Sequence, residues 1–328
     1  MNCSTPPNFL GTPEFIRFFL HTLLIFELPI HIFGAFCIIR KTPKRMQHVK
    51  WTMFNVHFWT ASLDLSNTVL ICPYMFFPAI AGMDMGLLTV LEVDMVYQVY
   101  FNFSLSWIVG SSITALLESR YNLFMGGPSW AHWRIVYFIF NYTFSVTFML
   151  PQMLFMLPDQ PSAISTFRQY LPCSWDTIPK SVFGLKLSTD FNYMMFILAF
   201  FAAHLSGSCL FFAFSVERYL RKIKNTSRQT AKLQSKLQFA VITQLLIPSA
   251  SLIAPVFFAV MSVKTGYHNT IFNNLTVIVM CFHGIISTIA MILLHQPYRD
   301  CLSELLSVRK KVEVHSNLVS QQIGSVVL

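Results

Sequence analysis

The sequence predicts an all-α protein, a bundle of seven membrane-spanning helices with its N-terminus outside the cell and its C-terminus in the cytoplasm. Three observations lead to this prediction: the apolar composition, seven long apolar runs, and the uneven placement of basic residues. Of the 328 residues, 54% are hydrophobic and only 11% are charged, against about 25% charged in soluble domains. A chain of this composition needs lipid as part of its solvent, which excludes an ordinary soluble domain.

The seven apolar runs define the predicted spans. Each is long enough to cross a hydrocarbon core about 30 Å thick, and a helix satisfies its own backbone hydrogen bonds in lipid. The predicted spans are 16–39, 52–80, 91–117, 134–156, 190–214, 237–261 and 271–295. They divide the chain into an extracellular segment (1–15), a transmembrane domain (16–295) and a cytoplasmic tail (296–328).

The basic residues set the predicted orientation, because Lys and Arg are enriched in cytoplasmic loops. Most of the 23 Lys and Arg lie after the first, third and fifth spans or in the tail. This placement accounts for the net charge of +9 without nucleic acid as a partner. The basic 218–236 loop also suits the anionic lipid of an inner leaflet. The basic residues on the opposite side are Arg17, Arg168, Lys180, Lys186 and Lys264.

The sequence carries no familiar enzyme signature. It holds ten His and seven Cys, but no HExxH zinc motif, no G-x-S-x-G turn and no phosphate-binding loop. The cysteine spacing matches no zinc or redox motif. We therefore expect a protein that is not an enzyme and that has neither a cofactor nor a bound metal.

Several ionisable residues lie inside the predicted spans, where charges are costly and usually face the bundle interior. Asp64 in the second span is the most deeply placed acid. It is either an ion or switch site coupled to helix movement or a structural hydrogen bond between helices, and the sequence leaves both open. For each histidine, a neutral core imidazole is the simplest interpretation. The other ionisable residues in the spans are His21, Glu27, His31, His57, His204 and His283.

The third span carries polar or small residues at intervals of four. Neighbours four apart touch on a helix, and at 3.6 residues per turn such a row winds around it, which is typical of a central helix with several neighbours. The upper members, Asp94, Gln98 and Asn102, are candidate ligand-pocket residues. The middle members are of the kind that joins membrane helices. The row is Asp94, Gln98, Asn102, Ser106, Gly110, Thr114 and Glu118.

The third span ends on the predicted cytoplasmic side with Glu118-Ser119-Arg120-Tyr121. A carboxylate two residues before an arginine can hold the guanidinium in an ion pair that a partner protein breaks. The alternative is an arginine that extends to the interface beside an interfacial tyrosine. On spacing alone, the alternative is the simpler interpretation.

Cys3 and Cys173 lie on the predicted outer side, in the N-terminal segment and in the long 157–189 connection. A disulfide between them would tie these segments together, with Cys72 as the competing partner. Asn2 begins an Asn-Cys-Ser glycosylation sequon on the same side. Long connections tend to be functional, so this one could cover a pocket in the bundle.

An ordered set of motifs runs from about residue 15 to residue 305. The motifs are PIHIFGAFCII (29–39), KTPKRMQHVKW (41–51), NVHFW (55–59), ESRYN (118–122), LPC (171–173), QTAKLQ (229–234), QLLIPSASLIAP (244–255), FHGIIST (282–288) and HQPYRD (295–300). This set resembles the nematode serpentine chemoreceptors of class H, which are seven-helix receptors of chemosensory cells.

The resemblance implies a G-protein-coupled receptor that binds a small environmental chemical, such as an odorant, and activates a heterotrimeric G protein. It also implies a multi-pass plasma-membrane protein of chemosensory neuron cilia, and it leaves open whether the receptor forms a dimer. At the cytoplasmic face it implies a switch at the end of the third span and a cap on the seventh. The residues of this predicted G-protein-coupling switch are Glu118, Arg120, Tyr121, Pro297, Tyr298 and Arg299.

The chain departs from rhodopsin-like receptors, because no cysteine stands at the outer end of the third span and the last span lacks an NPxxY motif. The alternative function is a ligand-gated channel or transporter subunit of seven spans. Insect odorant receptors have seven spans without G proteins, but their inverted topology disagrees with the charge distribution here. Transporters often show paired repeats, and none is evident in this sequence.

Overall fold

Seven long helices form most of the fold in a computed structural model, which describes residues 8–151, 182–184, 189–222 and 228–307. They are α1 (Pro13–Lys41), α2 (Gln47–Leu65), α3 (Met95–Met125), α4 (Pro128–Thr147), α5 (Thr189–Lys222), α6 (Arg228–Thr265) and α7 (Thr270–Leu294). A shorter helix, 296–307, follows α7 after a break at His295.

Four of the described helices are long and apolar enough to cross a membrane. They are α1, α3, the Met195–Lys222 part of α5, and α7. Side-chain caps fix where two of them begin. The Thr12 hydroxyl accepts from the Phe15 amide at 3.2 Å before α1, and the Asn269 side chain accepts from the first amides of α7. Such caps satisfy amide groups that have no partner inside the helix.

The central helix of the bundle is α3, which packs against α2, α4 and α5. Likewise, α7 packs against α1, α2 and α6, and α5 packs against α6. The prediction that the third span meets several neighbours is therefore confirmed. Hydroxyl groups join α3 to α4, where the Ser111 and Ser145 oxygens are 2.8 Å apart. We call the end of the bundle where α1 begins the upper end, and the end where α1 finishes the lower end.

The second helix ends before its predicted boundary at residue 80. One π-helical turn (Ser66–Leu70) follows α2, and Cys72 then adopts a left-handed backbone with φ 49°. Strands β1 (Pro73–Met75) and β2 (Ala81–Asp84) form an antiparallel hairpin. Strand β3 (Phe183–Gly184) pairs with β2.

Residues 71–80 therefore form part of a buried hairpin and the segment that leads into it, whereas the hydropathy pattern predicted that the second helix continues to residue 80. Hydropathy does not distinguish a helix from this hairpin, because the hairpin is also apolar and its Tyr74, Phe76 and Ala79 side chains are buried. Pro73 and Pro78 lack the amide hydrogen that a continuing helix would use, and they mark the change of structure.

The chain before α1, the hairpin and β3 form an upper cap, defined as residues 8–12, 71–86 and 183–184. The Tyr74 hydroxyl donates to the Gly11 carbonyl oxygen at 2.8 Å. The Asn273 amide donates to the Met75 and Phe77 carbonyl oxygens, and the Asn274 amide donates to two carbonyl oxygens in residues 10–12. Two adjacent amides of α7 thus tie both parts of the cap to the bundle.

The upper cap contains a buried acid, Asp84, which is 8% exposed. One of its carboxylate oxygens makes no hydrogen bond to the described residues. Burial raises the pKa of Asp84 to about 7 from the ordinary 3.8. The folded protein therefore keeps a proton that the unfolded chain releases near pH 4, so the free energy of unfolding falls as the pH rises from about 4 to about 7.

We expect Asp84→Asn to reduce this pH dependence. Between about pH 5 and pH 8, the wild-type protein should lose up to about 3 kcal/mol of stability through this group, at about 1.4 kcal/mol per pKa unit. Thermal unfolding of the purified protein in detergent measures the loss. Asp300→Asn, at an exposed position, is the control and should behave as wild type. An Asp84→Asn protein that keeps the full wild-type pH dependence would contradict the assignment.

Candidate functional site

Three helices meet around the buried carboxylate of Asp64 on α2. His31 on α1 places its Nε2 3.0 Å from Asp64 Oδ2, and His283 on α7 places its Nδ1 2.9 Å from Asp64 Oδ1. The Asp64 and His283 side chains are fully buried, and His31 is 4% exposed. We call these residues, together with Glu27, His57 and Thr288, the central polar cluster.

Hydrogen bonds orient the imidazoles of the central polar cluster. His57 Nε2 lies 2.9 Å from the His31 carbonyl oxygen, and His283 Nδ1 lies 2.7 Å from the Met280 carbonyl oxygen. A carbonyl oxygen only accepts, so both of these ring nitrogens donate. His31 Nδ1 lies 3.2 Å from the Thr288 hydroxyl oxygen, which leaves His31 Nε2 directed at Asp64.

Two glycines allow the three helices to come this close. A β-carbon on Gly284 of α7 would clash with the Asp64 carboxylate. A β-carbon on Gly34 of α1 would lie 2.6 Å from Thr288 and 2.8 Å from His57. Alanine at either position would force α1, α2 and α7 apart, so the approach of these helices depends on both glycines.

The sequence left two interpretations of Asp64 open. Its geometry has the contacts of the structural one, because Oδ2 is hydrogen-bonded to His31 Nε2 of α1 at 3.0 Å and Oδ1 lies 2.9 Å from His283 Nδ1 of α7, without a hydrogen bond at Oδ1. Removing one partner of a buried ion pair leaves an uncompensated charge, so these contacts constrain all three helices. The ion-site interpretation is compatible with the same geometry and is taken up below.

At the lower end, Glu118 pairs with a residue that the sequence reasoning did not choose. Arg134 of α4 donates from Nε to both carboxylate oxygens of Glu118, at 2.8 and 2.9 Å. The Trp130 indole donates to the same carboxylate at 2.8 Å. Glu118 is fully buried, so this pair locks α3 to α4. The carboxylate of Glu118 is thus bound by α4, and an ion pair between Glu118 and Arg120 stays a prediction.

Arg120 is fully buried at the lower end of α3. Its guanidinium carbon lies 5.3 Å from the centroid of the Phe124 ring, in a cation–π arrangement. Tyr121 is half-buried and packs against Trp130 of α4 and two phenylalanines of α5. Arg120 is therefore enclosed by the protein, and Tyr121 contacts two neighbouring helices.

The Pro297-Tyr298-Arg299 segment begins the 296–307 helix below α7. The fully buried Tyr298 places its hydroxyl 2.7 Å from the Thr42 hydroxyl, just after α1. Burial raises the pKa of Tyr298 to about 12, so the phenol stays protonated. Arg299 is exposed and donates to the Leu293 carbonyl oxygen at 3.1 Å. The segment thus ties α7 to α1 through Tyr298.

The three candidate ligand-pocket residues have different surroundings. Asp94 caps α3 by accepting from the Val96 amide at 2.8 Å. Gln98 is buried and donates to the Val93 carbonyl oxygen at 2.8 Å. Asn102 is half-buried, and its side-chain oxygen makes no hydrogen bond to the described residues. Asp94 is therefore used by local structure, whereas the side-chain oxygens of both Gln98 and Asn102 make no hydrogen bond to the described residues.

The outer candidates Asn2, Cys3 and Cys173, with most of the 157–189 connection, lie outside the described residues. Cys72, the competing disulfide partner, is a buried free thiol that donates to the Thr68 carbonyl oxygen at 3.1 Å.

Sequence reasoning missed Arg134 and Trp130 because their link to Glu118 joins two helices and leaves no local spacing. It missed Gly34 and Gly284 for the same reason, since their neighbours belong to other helices.

The comparison with known families decides what this bundle is. The model of the serpentine type 7TM GPCR chemoreceptor Srh family matches residues 11–308. The chain belongs to the Srh family. It is also 27% identical to serpentine receptor class H-72 of Caenorhabditis elegans, over 99% of this chain and 95% of that relative. The resemblance to class H receptors is confirmed, and with it the seven-transmembrane bundle of a multi-pass membrane protein.

Membership of the Srh family also places the chain among chemoreceptors and not in a family of enzymes. The matched region includes both the central polar cluster and the lower end of α3.

We expect the Glu118–Arg134 pair to be energetically coupled. Arg134→Ala should lower the free energy of unfolding by about 3 kcal/mol, because it leaves the buried Glu118 charge without its cation. In a Glu118→Gln background the same change should cost much less. A double-mutant cycle by thermal unfolding in detergent measures the coupling.

The control for this cycle is Arg221→Ala, which breaks an exposed pair with Glu217 four residues earlier on α5. That change should cost less than about 1 kcal/mol. Equal costs for Arg134→Ala with and without Glu118 would show that the buried pair does not lock α3 to α4.

Proposed function

We propose that this Srh receptor binds a small environmental chemical from the extracellular side and activates a heterotrimeric G protein at its lower end. The observation that carries the proposal is the lower end of α3, where fully buried Arg120 lies beside the Glu118–Arg134 pair. A buried arginine next to a breakable lock between helices is suited to a switch that a cytoplasmic protein reads. Membership of a chemoreceptor family supports a chemical ligand.

The proposed orientation places the lower end in the cytoplasm. The 42–46 connection after α1 and the last turn of α5 lie at the lower end and carry basic residues, among them Lys44, Arg45, Arg221 and Lys222, and basic loops face the cytoplasm. The same charges would attract anionic lipid of the inner leaflet. The proposed location is the plasma membrane of chemosensory neuron cilia, and pairing with a second receptor stays open.

The ligand enters at the upper end in this proposal, in the region of Asn102. Its free side-chain acceptor can take a hydrogen bond from a polar group of an otherwise apolar ligand. Trp107 and Phe201 lie about one turn below on α3 and α5 and pack ring against ring, with centroids 4.8 Å apart. Such a mixture of apolar walls and a few polar groups is typical of small-molecule pockets.

A small ligand can drive the switch only if the resting state is weakly favoured. Moving an equilibrium from 1:99 to 99:1 takes about 5.5 kcal/mol of differential binding, and a ligand of about ten atoms supplies at most roughly 1.5 kcal/mol per atom in total binding. Only the part of this binding that differs between the two states shifts the population. The proposal therefore requires α3 and α4 to separate at modest cost when the lock opens.

We expect Arg120→Ala to abolish ligand-dependent signalling while the receptor still reaches the cell surface. The guanidinium, which is fully buried in the structure, is the proposed contact for the G protein once the helices at the lower end separate. Surface staining and a G-protein activation assay in the same cells measure the two effects. Arg40→Ala, an exposed arginine at the lower end of α1, is the control and should signal normally.

Deleting the G-protein α subunit in the host cell separates the receptor from a seven-span channel. Signalling that disappears supports the proposal. A ligand-dependent current that persists without the G protein would contradict it and favour the channel.

A further inference from the structure

The geometry of the central polar cluster points to a metal site: we propose that Glu27, His31 and Asp64 bind a divalent transition-metal ion of the zinc type inside the bundle. The cysteine and histidine spacing in the sequence did not predict this site, because its ligands come from two helices. The proposal rests on the described side chains and is independent of G-protein coupling.

The three side chains present their ligand atoms to a common point. One carboxylate oxygen from each acid and one imidazole nitrogen of His31 all lie within 4.8 Å of one another. Tetrahedral zinc, with ligands at about 2.0–2.1 Å, holds its ligand atoms about 3.4 Å apart. The His31 Nε2 and Asp64 Oδ2 atoms are already 3.0 Å apart, so small side-chain rotations complete the site.

Glu27 provides an independent sign of a missing partner. Its side chain is fully buried, and neither carboxylate oxygen makes a hydrogen bond to the described residues. The neighbouring Thr68 hydroxyl donates instead to the Asp64 carbonyl oxygen at 3.0 Å. An unpaired buried carboxylate is very costly. Glu27 lies one helical turn before His31 on the same face of α1, so a cation between them would satisfy it.

The surrounding residues resemble the outer shell of a metal site. The Thr288 hydroxyl at His31 Nδ1 holds the imidazole so that Nε2 faces the two carboxylates. His283 Nδ1 of α7 lies 2.9 Å from the other oxygen of Asp64, although this oxygen makes no hydrogen bond to the described residues. Partners of this kind fix the orientation and tautomer of metal ligands.

Charge and ligand chemistry select the ion. The carboxylates of Glu27 and Asp64 share the same buried region. Among the described residues, the partners of Asp64 in its ion pairs are two imidazoles, and neither is a lysine or an arginine. A divalent cation would neutralise both carboxylates. Imidazole nitrogen suits zinc, whereas Na⁺, Mg²⁺ and Ca²⁺ prefer oxygen ligands. Three protein ligands leave a fourth position for water.

The bound ion would link α1 to α2, because its ligands come from both helices. His283 of α7 lies next to the same Asp64 carboxylate. The ion would therefore stabilise the arrangement of helices described above relative to any arrangement that separates Asp64 from α1. Zinc would act as a ligand that shifts the conformational population of the receptor.

The test uses the full-length receptor, purified in detergent without an affinity tag and stripped of metal. Titration with ZnCl₂, followed by calorimetry and by thermal unfolding, should show one site and a higher Tm. Glu27→Gln and His31→Gln should each weaken Zn²⁺ binding at least tenfold. His204→Gln, which changes a partly buried imidazole bonded to Asn141, is the control and should bind Zn²⁺ as wild type does. NaCl and MgCl₂ at equal or higher concentration should not replace ZnCl₂.

A second measurement does not depend on the folding of the variants. Titrating the wild-type receptor with Co²⁺ should produce visible ligand-field absorption of a four- or five-coordinate site, and Zn²⁺ should remove it. No such absorption, or Zn²⁺ binding that is unchanged in Glu27→Gln and His31→Gln, would overturn the proposal. A rise in Tm with Na⁺ in place of Zn²⁺ would also overturn it, in favour of a monovalent ion.

Discussion

The fully buried carboxylate of Asp64 lies where three helices meet, and it constrains how they pack. A charged or polar group in a membrane interior must find partners within the protein, and Asp64 finds them on α1 and α7. These contacts fix the relative heights of three helices. They also require the two glycines that let the helices approach. Apolar packing between membrane helices is less specific, because lipid tails are as apolar as the side chains they would replace.

The helices that contact Asp64 also make hydrogen bonds at both ends of the bundle. At the upper end, α7 holds the cap through Asn273 and Asn274. At the lower end, the segment below α7 holds α1 through the Tyr298–Thr42 contact. A movement of α7 relative to α1 would therefore disturb the cap, the central polar cluster and the Tyr298 contact together. The Glu118–Arg134 lock lies on α3 and α4, and α2, which carries Asp64, packs against α3.

The bounds of a helix could be predicted from the sequence where hydropathy alone determines the structure. Long apolar runs predicted α1 and α7 closely, because a run of that length has no other stable form in lipid. The second span was too long, because a buried hairpin is as apolar as a helix. Asp64 was singled out from the cost of a buried charge, and its side chain is fully buried. Its partners, and Arg134 as the partner of Glu118, could not be predicted, because contacts between helices depend on their rotation and height and these leave no spacing in one sequence.

A G protein can meet the Glu118–Arg134 lock only if the lock faces the cytoplasm and the upper cap faces the outside, as we propose. Epitope tags at the two ends of the chain, stained in intact and in permeabilised cells, measure this orientation. We expect the N-terminal tag to be stained in intact cells and the C-terminal tag to be stained only after permeabilisation. An N-terminal tag that is stained only after permeabilisation would overturn the proposed orientation, because the lock could then not meet a cytoplasmic G protein.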